Sequence, residues 1–197
     1  MTVSPAADRG LSLIELMLVM AISATLAAVA IPTSTTTIDE FRARSAARHV
    51  AQRIARLRAD AVKRSSFVGL RFVATGTDYS YATYVDGNNN GIRTAEIAAG
   101  VDPQVNGPEM LAWNFPGIRF GIAVGIPDAD NHPVSTQDGV RIGSARILSM
   151  NPDGSATPGT LYIVSPKGAQ YAVRVLGATA RTRVLKFDRA SNRWTDQ

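Results

Sequence analysis

Cysteine is absent from the 197 residues, and histidine occurs only twice, at His49 and His132. No disulfide framework, thiolate metal site or cysteine nucleophile is therefore available. The compartment stays open, because an oxidising periplasm permits disulfides without requiring them. The two histidines are far apart in sequence, one on a basic helical stretch and one in a loop, and read as surface residues rather than as ligands or bases. Also missing are a Gly-x-Ser-x-Gly elbow, a His-Glu-x-x-His pair, a phosphate loop and a dinucleotide fingerprint. A non-enzymatic role is expected. What is present is a chain with 45% hydrophobic residues, enough for one ordinary domain plus an appendage. Its net charge of +5 bears on association and solubility more than on fold.

The run from Leu11 to Ile31 is apolar or small throughout, with Glu15 as its only charged residue. About twenty such residues match the length of a bilayer-spanning helix. The competing reading is a secretory signal, with Arg9 ending the charged region and Ala28-Val29-Ala30 as a small-x-small cleavage site, which would make the rest a secreted soluble protein. Two residues weigh against it. Glu15 makes insertion costly, since an acid such as Asp adds roughly 2.5–3.5 kcal/mol at mid-membrane and less near an end, a cost that a disposable signal has no reason to carry. Pro32 stands just past the hypothetical cut, where proline hinders such proteases. A retained carboxylate implies a partner cation.

The stretch Arg9-Gly10-Leu11-Ser12-Leu13-Ile14-Glu15-Leu16-Met17 resembles the type IV prepilin motif, with Leu11 where phenylalanine is usual. The resemblance implies cleavage between Gly10 and Leu11 by a prepilin peptidase, methylation of the new N-terminus, and pairing of Glu15 with the amine of a neighbouring subunit during assembly. It further implies a single-pass protein of the bacterial inner membrane with a periplasmic head, able to enter an extracellular pilus. A count of positive charges alone favours the opposite orientation, since Arg42, Arg44 and Arg48 lie just beyond the apolar run.

After a Thr/Ser-rich stretch, Ala43, Ala47, Val50, Ile54, Leu57 and Ala61 recur at spacings of three and four, which predicts an amphipathic helix. Arg42, Arg44, Arg48, Arg53, Arg56 and Lys63 occupy mostly its other faces, as a solvated surface or as a partner-facing one. Joined to the apolar run, the two halves make a helix of about fifty residues, or about 80 Å. Pro32 is expected to bend or locally melt it. The stripe is too short and too rich in alanine for a coiled coil.

Beyond Arg64 the texture changes to β-type runs: 67–73, 79–85, 118–124, 140–148, 161–164, 171–175 and 182–187, separated by Asn, Gly, Asp and Pro. The expected class is α+β, with the helix covering one face of an antiparallel sheet. The expected organisation is a leader (1–10), a transmembrane and assembly helix (11–31), an amphipathic periplasmic helix (32–66) and a β-rich head (67–197). The segments Ala61-Val62-Lys63-Arg64-Ser65 and Met150-Asn151-Pro152-Asp153-Gly154-Ser155 resemble the FimT/GspH group. That likeness implies a minor pilin of a type IV pilus or a minor pseudopilin of a type II secretion system, with other pilins or pseudopilins as partners.

Two surface features carry ligand chemistry. Asp86-Gly87-Asn88-Asn89-Asn90-Gly91 places oxygen side chains at alternate positions, as calcium loops do, making Asp86, Asn88 and Asn90 candidate ligands. Glu96 arrives one residue too early for an EF-hand, and a polar Asn-Gly turn is the competing reading. The C-terminal stretch carries Arg174, Arg181, Arg183, Lys186, Arg189 and Arg193 with Trp194. Such cations can neutralise phosphates and an aromatic can stack on a base, so a DNA-binding pilin acting in DNA uptake is the alternative function. Ala180-Arg181-Thr182-Arg183 resembles the Gly-Arg-x-Arg tail of DNA-binding relatives except at the glycine. An edge strand carrying outward charges is the other explanation.

Overall fold

The computed structural model describes residues 12–197, apart from the side chains at positions 29–34. The chain divides into two compact units, one ending at Ile38 and the other running from Asp39 to Gln197. Helix α1 (Leu13–Arg64) contributes to both. Ser12, a residue type favoured before a helix, precedes it, and its carbonyl accepts the amides of Glu15 and Leu16. The helix is unbroken through position 32, so the local melting expected at proline does not occur. It ends in paired reverse bonds, Ser66 N–H to the Ala61 carbonyl and Ser65 N–H to the Val62 carbonyl, with Ser65 left-handed at φ 51°. Glycine usually fills that position.

In the first unit every described side chain is exposed, including Leu13, Ile14, Leu16, Met17, Val19, Ile22 and Leu26. Its described side chains form no core of their own. Among the described residues no helix is long and apolar enough to cross a membrane. The described side chains, at positions 12–28, cover only part of the apolar run expected to span at Leu11–Ile31.

The second unit is built from two antiparallel sheets. In the first, β1 (Val68–Thr75) and β2 (Asp78–Val85) form a hairpin in register from Val68 opposite Val85 to Thr75 opposite Asp78. A short helix α2 (Thr94–Ala99) leads to β3 (Gln104–Met110), which flanks β2, and β6 (Ile147–Met150) flanks β1. Helix α3 (Leu111–Asn114) follows β3 directly. In the second sheet, β7 (Gly159–Val164), β8 (Gln170–Val175), β9 (Thr182–Asp188) and β10 (Arg193–Asp196) are consecutive neighbours. The far edge of β7 pairs with both β4 (Arg119–Phe120) and β5 (Val140–Arg141).

The expected stripe on α1 is the buried one: Ala43, Ala47, Val50, Ile54, Leu57 and Ala61 all lie in the main core, with Ala46 beside them. Alanine lets the helix backbone come close to both sheets, which send Leu70, Phe72 and Tyr81 and, from the other, Leu161, Ile163 and Val173 into the same core. Strand alternation then puts Tyr162, Ala172, Leu185 and Phe187 on the opposite face of the second sheet. Ile122 and Ile126 cover them there. Two buried polar side chains tie the connecting segment down: Asp78 accepts the Phe120 amide, and Gln170 accepts the Ala123 amide while donating to the Gly121 carbonyl.

Four expectations need correction. The helix packs on two sheets rather than one. The run 118–124 pairs only at Arg119–Phe120, because Ile122 turns away to the second core. The run 140–148 is two strands in different sheets, broken where Gly143 and Arg146 adopt positive φ. The strand over 182–187 is not an edge: β8 and β10 flank β9, and β10 is the edge. Strand β3 went unread because its solvent-facing polar residues and Gly107-Pro108 do not look like a strand.

Candidate assembly segment and surface sites

Glu15 sits in the first turn of α1, where a carboxylate complements the positive end of the helix dipole. It is exposed among exposed Leu13, Ile14, Leu16, Met17 and Leu18. A helix apolar on all sides is found buried in lipid or among other helices. The segment is therefore shaped to be covered by something outside this unit, with one acid near its start. Gly10 and Leu11, the expected processing pair, lie outside the described residues.

Half of the six cations of the basic tail are engaged with the chain's own acids. Arg183 donates to Asp196 at 2.6 Å, Arg174 makes a two-pronged pair with Asp130, and Lys186 is ion-paired with Glu40. Arg189 donates to the Gly168 carbonyl at 3.0 Å. Hydrogen bonding to Glu40 raises the Lys186 pKa, the mark of a cation held by its acid. Arg181 precedes β9 and is exposed; its guanidinium has no hydrogen-bonded partner among the described residues. Trp194 packs edge-on against Phe187 and Tyr162, and its indole N–H donates to the Pro127 carbonyl, so it completes the second core rather than standing free to stack.

The loop read as a calcium candidate is folded around its own carboxylates. Asp86, 6% exposed, accepts the amides of Asn88 and Asn89 on Oδ1 and that of Gly91 on Oδ2. Asn88 and Asn90 donate their side-chain NH2 groups to Glu96 Oε1. Asp102, 1% exposed and overlooked in the sequence, accepts from the amides of Gly87 and Arg93. A metal ion here would have to displace amide hydrogens from Asp86. No group of three or more His, Cys, Asp or Glu side chains suited to a metal occurs among the described residues.

Along α1, Arg42, Arg44, Arg48, Arg56 and Lys63 are exposed as expected, but Arg53 is not. It donates to Glu109 at 3.1 Å and to the Thr83 hydroxyl at 3.3 Å, clamping the helix to β2 and β3. His132 remains a surface side chain. His49 is half-buried, correcting the surface reading: its ring meets Phe115 edge-on at 5.5 Å, and Nε2 is buried without a protein partner among the described residues. The Tyr81 hydroxyl is likewise buried and unpartnered, and burial pushes its pKa up to about 12. Both residues line a small cavity of about 10 Å³, space for one water molecule.

Burial holds the His49 pKa below its ordinary value, with Arg53 and Arg56 adding to the effect and Glu109 opposing it. The unfolded chain then takes up the proton more readily than the folded one, so this residue's contribution is complete above the ordinary value of 6.5 and falls as pH drops below it. Between about pH 7 and pH 5, His49→Gln should flatten the dependence of Tm on pH. An unchanged slope in a thermal-melt series would contradict this.

Residues 6–31 match the family described as the prokaryotic N-terminal methylation motif. The chain is also 37% identical over 82 residues to a pilin-like protein, PilA1, of Thermus thermophilus, an alignment covering 42% of this chain and 51% of that protein. The chain thus spans about half the length of that curated relative. No solved structure matches. The methylation motif, the pilin-like relative and the order of one long helix followed by antiparallel sheets support a type IV pilin-like protein with an α+β fold.

Proposed function

We propose that this chain is a minor pilin or pseudopilin: a structural subunit matured by a prepilin peptidase at Gly10, methylated at Leu11, held in the inner membrane by the apolar half of α1, and assembled with other pilins or pseudopilins through Glu15. The observation that carries the reading is the pairing of the methylation motif at 6–31 with a helical segment whose described side chains are all exposed and whose only charge is Glu15. The second unit buries a core of its own, whereas the described side chains of the first unit are all exposed and call for a partner to cover them.

The FimT/GspH assignment rests on the helix-end and Asn-Pro-Asp-Gly motifs. Display of DNA would have to rest on Arg181, because Arg174, Arg183 and Lys186 are each paired with a carboxylate of the same chain. Mass spectrometry of the N-terminus after purification from membranes of cells containing a prepilin peptidase tests the proposal. A chain beginning with N-methylated Leu11 is expected. An intact Met1, or a start at Ile31 as a conventional signal would give, refutes it.

A further inference from the structure

Between the last turns of α1 and strand β3 lies an open cleft of about 240 Å³. Arg53, Arg56, Asp60 and Arg64 line its helical side, and Val105 and Asn106 line the strand side. Arg53 is spent on Glu109 and Thr83. Arg56 and Arg64 are exposed and make no hydrogen bond or ion pair among the described residues, and neither does Asp60, one turn from each. Asn106 already engages the Gly107 amide through its oxygen, which leaves its NH2 group as a donor. Val105 adds an apolar surface that is 51% exposed.

We propose that this cleft docks an extended acidic segment of another protein chain, with Arg56 and Arg64 taking its carboxylates. Guanidinium forks suit carboxylate geometry, and two of them two turns apart can take two acids along one segment. The cleft's own acids, Asp60 and the Glu109 that holds Arg53, leave it with a small net positive charge. That balance suits a segment with a few carboxylates and disfavours the unbroken negative charge of a nucleic acid, whose phosphates would meet Asp60. The strand order makes β3 an edge, so among the described residues its outer side faces no other strand and can lie alongside an extended backbone. Val105 gives an apolar side chain between the acids a place to rest. The inference holds whether or not the chain enters a filament.

The test uses the full chain in detergent micelles and fluorescence anisotropy of a labelled peptide of alternating glutamate and valine. Its glutamine–valine counterpart and a single-stranded oligothymidylate serve as comparisons. The glutamate peptide should bind about tenfold more tightly than the glutamine one, and Arg56→Gln combined with Arg64→Gln should remove that advantage. Thermal melting checks that the double variant is folded; if it is not, Arg64→Gln alone is measured and should weaken binding by about threefold. Absence of binding, equal binding of the two peptides, or no effect of the substitutions overturns the proposal. So does oligothymidylate binding that the substitutions weaken and the glutamate peptide cannot compete away.

Discussion

Glu15→Ala should leave the chain in the membrane fraction while lowering its incorporation into filaments by about a hundredfold. Removing an acid from an apolar helix eases insertion, since carboxylates are unfavourable in hydrocarbon. Assembly is different. In the proposed assembly, neighbouring helices would cover the first unit and carry the amine of a methylated N-terminus into a low-dielectric environment, where a cation buried without its partner costs about 3–5 kcal/mol. Even the lower end of that range exceeds a hundredfold in an equilibrium constant. Glu15→Gln should fail nearly as badly, because it keeps the shape and loses the charge. Fractionation and filament incorporation are measured on the same cultures. Normal incorporation of either variant would refute the assembly role, whereas loss from the membrane fraction would assign Glu15 to insertion instead.

The helix was legible because its requirement is periodic: six apolar positions between Ala43 and Ala61 repeat at the helical spacing, and all six are buried. Strands β1, β2, β7, β8 and β9 were legible as short β-type runs set off by Asn, Gly, Asp and Pro. What the sequence hid was partnership. Nothing in the run 140–148 says that Val140 pairs with Leu161 in one sheet while Leu148 pairs with Leu70 in the other. Strand β3 is mostly exposed and interrupted by Gly107-Pro108, so it carries no alternating pattern to find.

What the sequence hid about the surface sites was electrostatic partnership. A list of cations at 174–193 looks like a uniform phosphate-binding surface, but three of them are paired with acids that the list does not show: Glu40 for Lys186, Asp130 for Arg174 and Asp196 for Arg183. Conversely Arg56 and Arg64, ordinary members of a helix surface, stand out only once β3 is placed opposite them and Arg53 is found occupied. Asp102 had no signal beyond being an acid near the loop, yet it is among the most buried polar side chains described.

The loop from Asp86 to Gly91 provides the largest expected change in stability. Asp86→Ala removes one acceptor from three backbone amides at once, those of Asn88, Asn89 and Gly91. An orphaned buried amide costs about 1–3 kcal/mol, but the residues around these amides are exposed and water can replace part of what is lost, so about 3 kcal/mol in all is expected. For a unit of this size that lowers Tm by about 6–12 °C. Asp86→Asn keeps one carbonyl oxygen and should lose about half as much. Gly87 adds a steric constraint, since a Cβ there would stand 2.0 Å from the Val101 carbonyl oxygen, so the loop has little freedom to find another arrangement. The same geometry bears on calcium. Because both Asp86 oxygens are committed to amide hydrogens, millimolar calcium should leave the wild-type Tm where it is, with magnesium as the control. A ligand that bound the folded loop at a concentration a hundredfold above its Kd would add about 2.7 kcal/mol. A calcium-specific rise of several degrees, lost in Asp86→Asn, would therefore show that the ion displaces those amides and that the loop is a metal site after all.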